Sequence, residues 1–326
     1  MKKLIFLTTV TLILTGCFWD DDEEVIEKVV SISQTPGNLS GLNSEYDDYN
    51  LAIDRGVDRR IIFSSNRNSQ GKDFDIVYKN IYFLEDTESG YLTIEVKDYG
   101  VPDYWEKIFR NINSERNEFG PYFESAGGNL FLMYSTENVS GYDIQFLNLT
   151  AWYSAEYKDF DSIPKKIPKI NDYGDDLYPT FSADKKNLIF CSNKDENVFN
   201  IYNASFETEI TCELLINGDI KTIEKIEILS SNADDKCPFV DDNNNMIVFA
   251  SDREGGFGGY DLWYSFYENE EWKEPENFGS QINSGNDEFR PVILKELGHN
   301  IMMFSSNRSG GMGGYDLYAV EIEFLQ

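Results

Sequence analysis

The stretch Phe304–Tyr318 reads FSSNRSGGMGGYDLY, and a near-copy, FASDREGGFGGYDLW, occupies Phe249–Trp263. Weaker copies begin at Phe63 (FSSNRNSQGKDFDIVY), Tyr134 (YSTENVSGYDIQF) and Phe190 (FCSNKDENVFNIY). These opening aromatics lie 71, 56, 59 and 55 residues apart. Each copy has the same parts in the same order. An Asn-containing turn (Asn43, Asn113, Asn171, Asn232, Asn283) leads to an acid and, three positions later, usually proline. A short strand and a turn follow, then a continuous apolar run such as Met246–Phe249. A Gly-rich or polar turn and an aromatic–Asp/Asn pair open another strand. A mostly-strand unit recurring at this period points to a β-propeller. The apolar runs suit middle strands buried on both faces by stacked blades. The interval of 71 leaves a longer loop but no sixth copy. The expectation is an all-β fold, a single five-bladed propeller of four-stranded antiparallel blades.

The termini complete the ring. The last copy stops after its third strand, and Pro36–Asn43 (PGNLSGLN) matches Pro275–Asn283, the stretch that precedes the last Asn turn. Residues 25–326 are therefore expected to form the propeller, with 25–43 as the closing outer strand of the last blade. Closure removes an exposed sheet edge.

Residues 1–16 read as a signal peptide: Lys2 and Lys3, then an apolar Leu4–Leu14 too short to span a bilayer. Leu14-Thr15-Gly16-Cys17 resembles the lipobox of bacterial lipoproteins, which makes Cys17 the lipidated first residue of the mature chain. The acidic run Asp20–Glu24 makes 17–24 a tether and resembles the export signal of surface lipoproteins in Bacteroidetes-type bacteria. The expected location is the outer membrane, facing the cell surface or else the periplasm. The net charge is −30, or −30 − 2 = −32 without Lys2 and Lys3. Such a charge repels nucleic acid and attracts cations or basic partners. Beyond Cys17 only Cys191, Cys212 and Cys237 remain, an odd count, with a Cys212–Cys237 pair left open.

FSSNR, the acid-x-x-Pro turn and YDLY resemble the WD40-like repeat of TolB-type propellers, common in bacterial envelope proteins, over about residues 44–326. The second and third copies depart from it, with Glu137 and Lys194 taken to replace the arginine. The resemblance implies a scaffold for protein interaction and no single activity.

Two sets of residues stand out. Arg67, Arg253 and Arg308 recur with Asp75, Asp261 and Asp316 and are expected to pair with them. Asp48, Glu118, Asp176, Asp235 and Glu288 share one repeat position, and Asp47, Asp175, Asp234 and Asp287 precede four of them. At one mouth of the channel these acids would form a ring able to take Ca²⁺ or a basic partner. Alternatively each caps a turn within its own blade. His299, the only histidine, reads as an exposed turn residue and lacks a nucleophile elbow. The cysteines lack zinc spacing. The glycine-rich loops lie between strands rather than before a helix, which disfavours a phosphate site. The expectation is a non-enzymatic protein-binding or assembly module with an envelope or surface protein partner and no cofactor beyond that cation. The alternatives are a surface glycan-binding lipoprotein, using Trp105, Trp152, Trp263 or Trp272, or a five-bladed glycoside hydrolase. The hydrolase needs two carboxylates and no histidine, and non-repeated acids such as Asp54 and Glu124 are its candidates.

Overall fold

The computed structural model describes residues 28–54, 60–85, 90–97, 100–150, 162–171, 174–195, 197–243 and 245–323. Cys17, the tether and Trp152 lie outside them. No described helix is long and apolar enough to cross a membrane.

The apolar runs form the second strand of every blade, at Arg60–Ser65, Asn129–Asn138, Asn187–Ser192, Met246–Ser251 and His299–Ser306. Phe63, Phe190, Phe249 and Phe304 are fully buried, because neighbouring blades cover both faces of these strands. The innermost strands begin at the ring acids: Asp48–Asp54, Glu118–Ala126, Asp176–Phe181, Asp235–Val240 and Glu288–Glu296. They surround the axis, each touching the next and the fifth touching the first. Third strands open at the aromatic–Asp/Asn pairs, and the sheets are antiparallel throughout. This is the expected five-bladed propeller.

The closing segment divides in two. Gly37–Asn38 is the outer strand of blade 5, pairing with Ala319 and Tyr318. Lys28–Ser31 instead adds a fifth strand to blade 1, where Lys28 faces Val96. Leu39 and Leu42 then insert into the main core.

An α-helix, Asp103–Ile112, accounts with a long hairpin for the 71-residue interval. Its buried face, Trp105, Ile108 and Ile112, packs in the cluster that holds Tyr78 and Phe123. Trp105 is therefore a core residue, as is Trp263.

Strand register corrects two alignments. Glu118 pairs with Thr136 as Asp48 does with Ser65, so Asn138, not Glu137, takes the arginine's place. In blade 4 the residue that caps the preceding blade is Ser230, not Asn232. Its hydroxyl accepts from Ile201 N at 3.4 Å, where Asn43, Asn113, Asn171 and Asn283 accept through Oδ1 at 2.8–3.0 Å.

In the last two blades the GGxGG loops press onto the next blade. A Cβ on Gly258 would sit 2.0 Å from the Asn286 carbonyl oxygen, and one on Gly313 would sit 1.9 Å from that of Tyr46. Close approach, more than turn geometry, requires these glycines.

Deleting Val25–Asn43 removes buried Ile32, Leu39 and Leu42 and reopens the ring. Each buried aliphatic contributes about 1.5–3 kcal/mol, so the melting temperature is expected to fall by at least about 5 °C in calorimetry. A truncated chain that melts like the mature one would refute closure.

Candidate functional site at the propeller axis

The axis has three levels. At the upper mouth stand the five ring acids, all fully buried, and four are engaged within their own blades. Asp48 accepts from Ser44 Oγ at 2.9 Å, Ser65 Oγ at 2.7 Å and Arg67. Asp235 accepts from Ser231 N at 2.6 Å and Arg253 at 2.5 Å. Glu288 accepts from Ser284 Oγ at 2.6 Å, Ser306 Oγ at 2.9 Å and Arg308 at 2.9 Å. The arginines thus pair with the ring acids and not with Asp75, Asp261 and Asp316 as expected. They also reach the carbonyls of Leu42, Leu229 and Ile282. Asp261 and Asp316 instead accept from Asn277 and Asn38.

Blades 2 and 3 lack the arginine. Burial pushes the Glu118 carboxyl up to about 7, against hydrogen bonds from Ser114 and Thr136. Asp176 is more exceptional. Neither oxygen has a hydrogen bond. Lys194 turns its ammonium over the Tyr202 ring, 4.2 Å away. Burial raises Asp176 to about 8, and Ser192 and Lys194 offset only part of that. The ring acids do not form one shared polyanionic site, and no group of three His, Cys, Asp or Glu able to hold a metal occurs among the described residues.

At mid-channel every inner strand carries a β-bulge two residues after its acid. Asn50, Gly120, Tyr178, Cys237 and Arg290 all adopt positive φ there, from 49° to 58°. Bulges re-aim side chains, and these meet on the axis. Gly120 makes room for Tyr178, whose ring would lie 2.3 Å from a Cβ. The Arg290 guanidinium lies 5.6 Å from the Tyr178 ring centroid. The Asn50 amide has no hydrogen bond. Burial raises the Cys237 thiol and takes Cys191 to about 12. All three described cysteines are free, which leaves no Cys212–Cys237 bond.

At the lower mouth a funnel opens, lined by inner-strand residues or the turns after them in all five blades. Tyr122, Phe123, Phe181 and Phe239 form apolar walls, and Glu124, Asp241, Asp242, Lys185 and Arg290 supply charge. Glu124 pairs with Lys185 at 3.0 Å. Asp241 accepts from the N–H groups of Asn243, Asn245 and Met246 at 3.3, 2.8 and 2.8 Å. Of these residues the sequence alone points to Glu124 and not to Asp241, Asp242, Lys185 or Arg290. The signal available was the column before proline, which varies through Asn, Gly, Tyr, Cys and Arg while its neighbours repeat. His299 is not an exposed turn residue: it lies in a strand with Nδ1 2.7 Å from Glu321. Trp272 lines a separate groove with Tyr267.

No protein-family model matches the chain, and no curated protein matches it in sequence. Solved structures do. An endo-arabinase from Bacteroides thetaiotaomicron shares 15% identity and a TM-score of 0.51, over 91% of this chain and 99% of that one. A GH43 enzyme from Xanthomonas citri complexed with xylotriose shares 9% identity and a TM-score of 0.54, over 90% and 92%. A GH43 β-xylosidase/α-arabinofuranosidase from a compost metagenome, described as a calcium-free form, shares 10% identity and a TM-score of 0.51, over 90% and 96%. At these identities the likeness establishes the fold. It also corrects the TolB-type assignment and, with it, the non-enzymatic assembly module and the envelope protein partner. These three propellers are named as enzymes, and the ligand named in two of them is xylotriose.

Asp176 makes stability depend on pH. Its folded-state pKa lies above the unfolded value of 3.8, so the folded chain holds a proton that the unfolded chain has lost. Stability from this group is present below about pH 4 and is lost as pH rises through 8, by up to about 1.4 kcal/mol per pH unit. Asp176→Asn should melt higher than the parent at pH 8, with the difference shrinking towards pH 5. Parallel melting curves across pH 5–9 would refute this.

Proposed function

We propose that the chain is a carbohydrate-active propeller, a glycoside hydrolase that takes its glycan at the lower mouth of the axis. The observation that carries this is the funnel itself: three carboxylates on two blades, around an apolar wall, on a ring matched from end to end by an arabinase. Glycoside hydrolysis needs two carboxylates across the bond, one to protonate the leaving oxygen and one to activate water or to attack the sugar. Glu124 comes from blade 2, and Asp241 and Asp242 come from the turn that follows the inner strand of blade 4. Blade 3 separates the two sets, and Lys185 from blade 3 holds Glu124 in place. The backbone donors around Asp241 hold its carboxylate still, the preorganisation such a role requires. The activities and ligands named for the matched enzymes point to arabinose- and xylose-containing glycans as substrates.

Calcium has no step in this reading. The mid-channel position holds a guanidinium, and four ring acids are engaged by their own blades. The lipobox and acidic tether, with Cys17 acylated, would place the enzyme on the outer membrane, where glycans from outside the cell are met.

Two measurements test the proposal. On arabinan and xylo-oligosaccharides, at least one of Glu124→Gln, Asp241→Asn and Asp242→Asn should lower kcat about 100-fold or more with an unchanged melting temperature. Full activity in all three, or no turnover of any glycan by the parent, would sink the hydrolase reading. Cys17→Ala should abolish incorporation of labelled palmitate and release the protein from membranes. Labelling that survives the substitution would overturn the lipid anchor.

A further inference from the structure

Arg290 is fully buried on the axis and has no acid partner among the described residues. Its Nη2 donates to the Pro121 carbonyl at 3.1 Å, while Nε and Nη1 have no acceptor. Arg290 lines the funnel. Two of the funnel's acids are engaged elsewhere: Glu124 pairs with Lys185, and Asp241 accepts from three backbone N–H groups. A buried cation with two unpaired donors, and no counter-charge from the protein, calls for an anion from outside.

We propose that the funnel binds a carboxylate carried by the ligand, so that the glycan seated on the axis bears a uronic acid at its tip; this rests on the carbohydrate reading above. The funnel's cavity is about 20 Å³, room for one water-sized group. That admits a carboxylate oxygen and leaves the sugar ring outside the cavity. A guanidinium matches a planar carboxylate through charge-assisted hydrogen bonds. A phosphate or sulfate is bulkier, and a phosphate would also bring more negative charge against Asp241 and Asp242. A neutral hydroxyl would leave the cation uncompensated.

The test is calorimetric titration of the mature protein in chloride-free buffer with glucuronic acid-tipped and unsubstituted xylo-oligosaccharides of equal length. The acidic sugar is expected to bind about tenfold tighter or more, the effect of one charge-assisted contact. Arg290→Gln should remove that preference. Arg290→Lys, which keeps the charge, should retain part of it and guards against a folding defect. Equal binding of the two sugars, or a preference that survives Arg290→Gln, overturns the inference. So does chloride alone abolishing the preference, which would mean an inorganic counter-ion only. Turnover of neutral glycans without an acidic preference refutes the uronate site and leaves the hydrolase standing. An acidic preference without turnover upholds the site and refutes the hydrolase.

Discussion

The ring depends on one hydrogen bond made five times. The residue just before each ring acid accepts, through its side-chain oxygen, the backbone N–H of the aromatic in the preceding blade. The pairs are Phe74–Asn117, Tyr142–Asp175, Phe199–Asp234, Tyr260–Asp287 and Tyr315–Asp47, all at 2.8–3.0 Å. The last joins the final blade to the first, so the chain closes on itself with the contact it uses everywhere else. Each bond contributes about 1 kcal/mol. Its larger effect is geometric, because it aligns the start of each inner strand with the end of the loop beside it.

The clasp explains the Ser-Asn-Arg motif from within. In blade 1 the Asn66 amide grips Asp47 from both sides, and the arginine one residue on neutralises Asp48. In blade 2 the clasp residue is Asn117, and its holder is Glu137. Amide and carboxylate have exchanged places and the contact survives. The lost arginine has no such replacement, and the consequence appears where it should, in the raised pKa of Glu118 and Asp176.

The blade count, the closing strand and the buried runs were legible because they are periodic, and a period is visible in one sequence. The helix at Asp103–Ile112 was not, since it occurs once and sits in an interval that read as loop. The pairing of Arg67 with Asp48 rather than Asp75 was hidden for another reason. Both acids recur with the arginine, and only strand register decides which one its fork meets. The fold was also mistaken for a family. The motif residues build blade contacts, and blade contacts say nothing of the ligand.

The candidate site follows from the opposite property. The repeat constrains the acid and usually the proline, and between them it imposes a bulge that turns one side chain towards the axis. That position is structurally fixed in backbone and free in side chain. Asn50, Gly120, Tyr178, Cys237 and Arg290 show five solutions in five blades. A scaffold whose strands converge on an axis can therefore change its chemistry there without disturbing a clasp. In this chain Gly120 gives space to Tyr178, and Tyr178 offers its ring to the Arg290 guanidinium. Both side chains are buried, so they fill the axis between the ring acids and the funnel without touching any clasp.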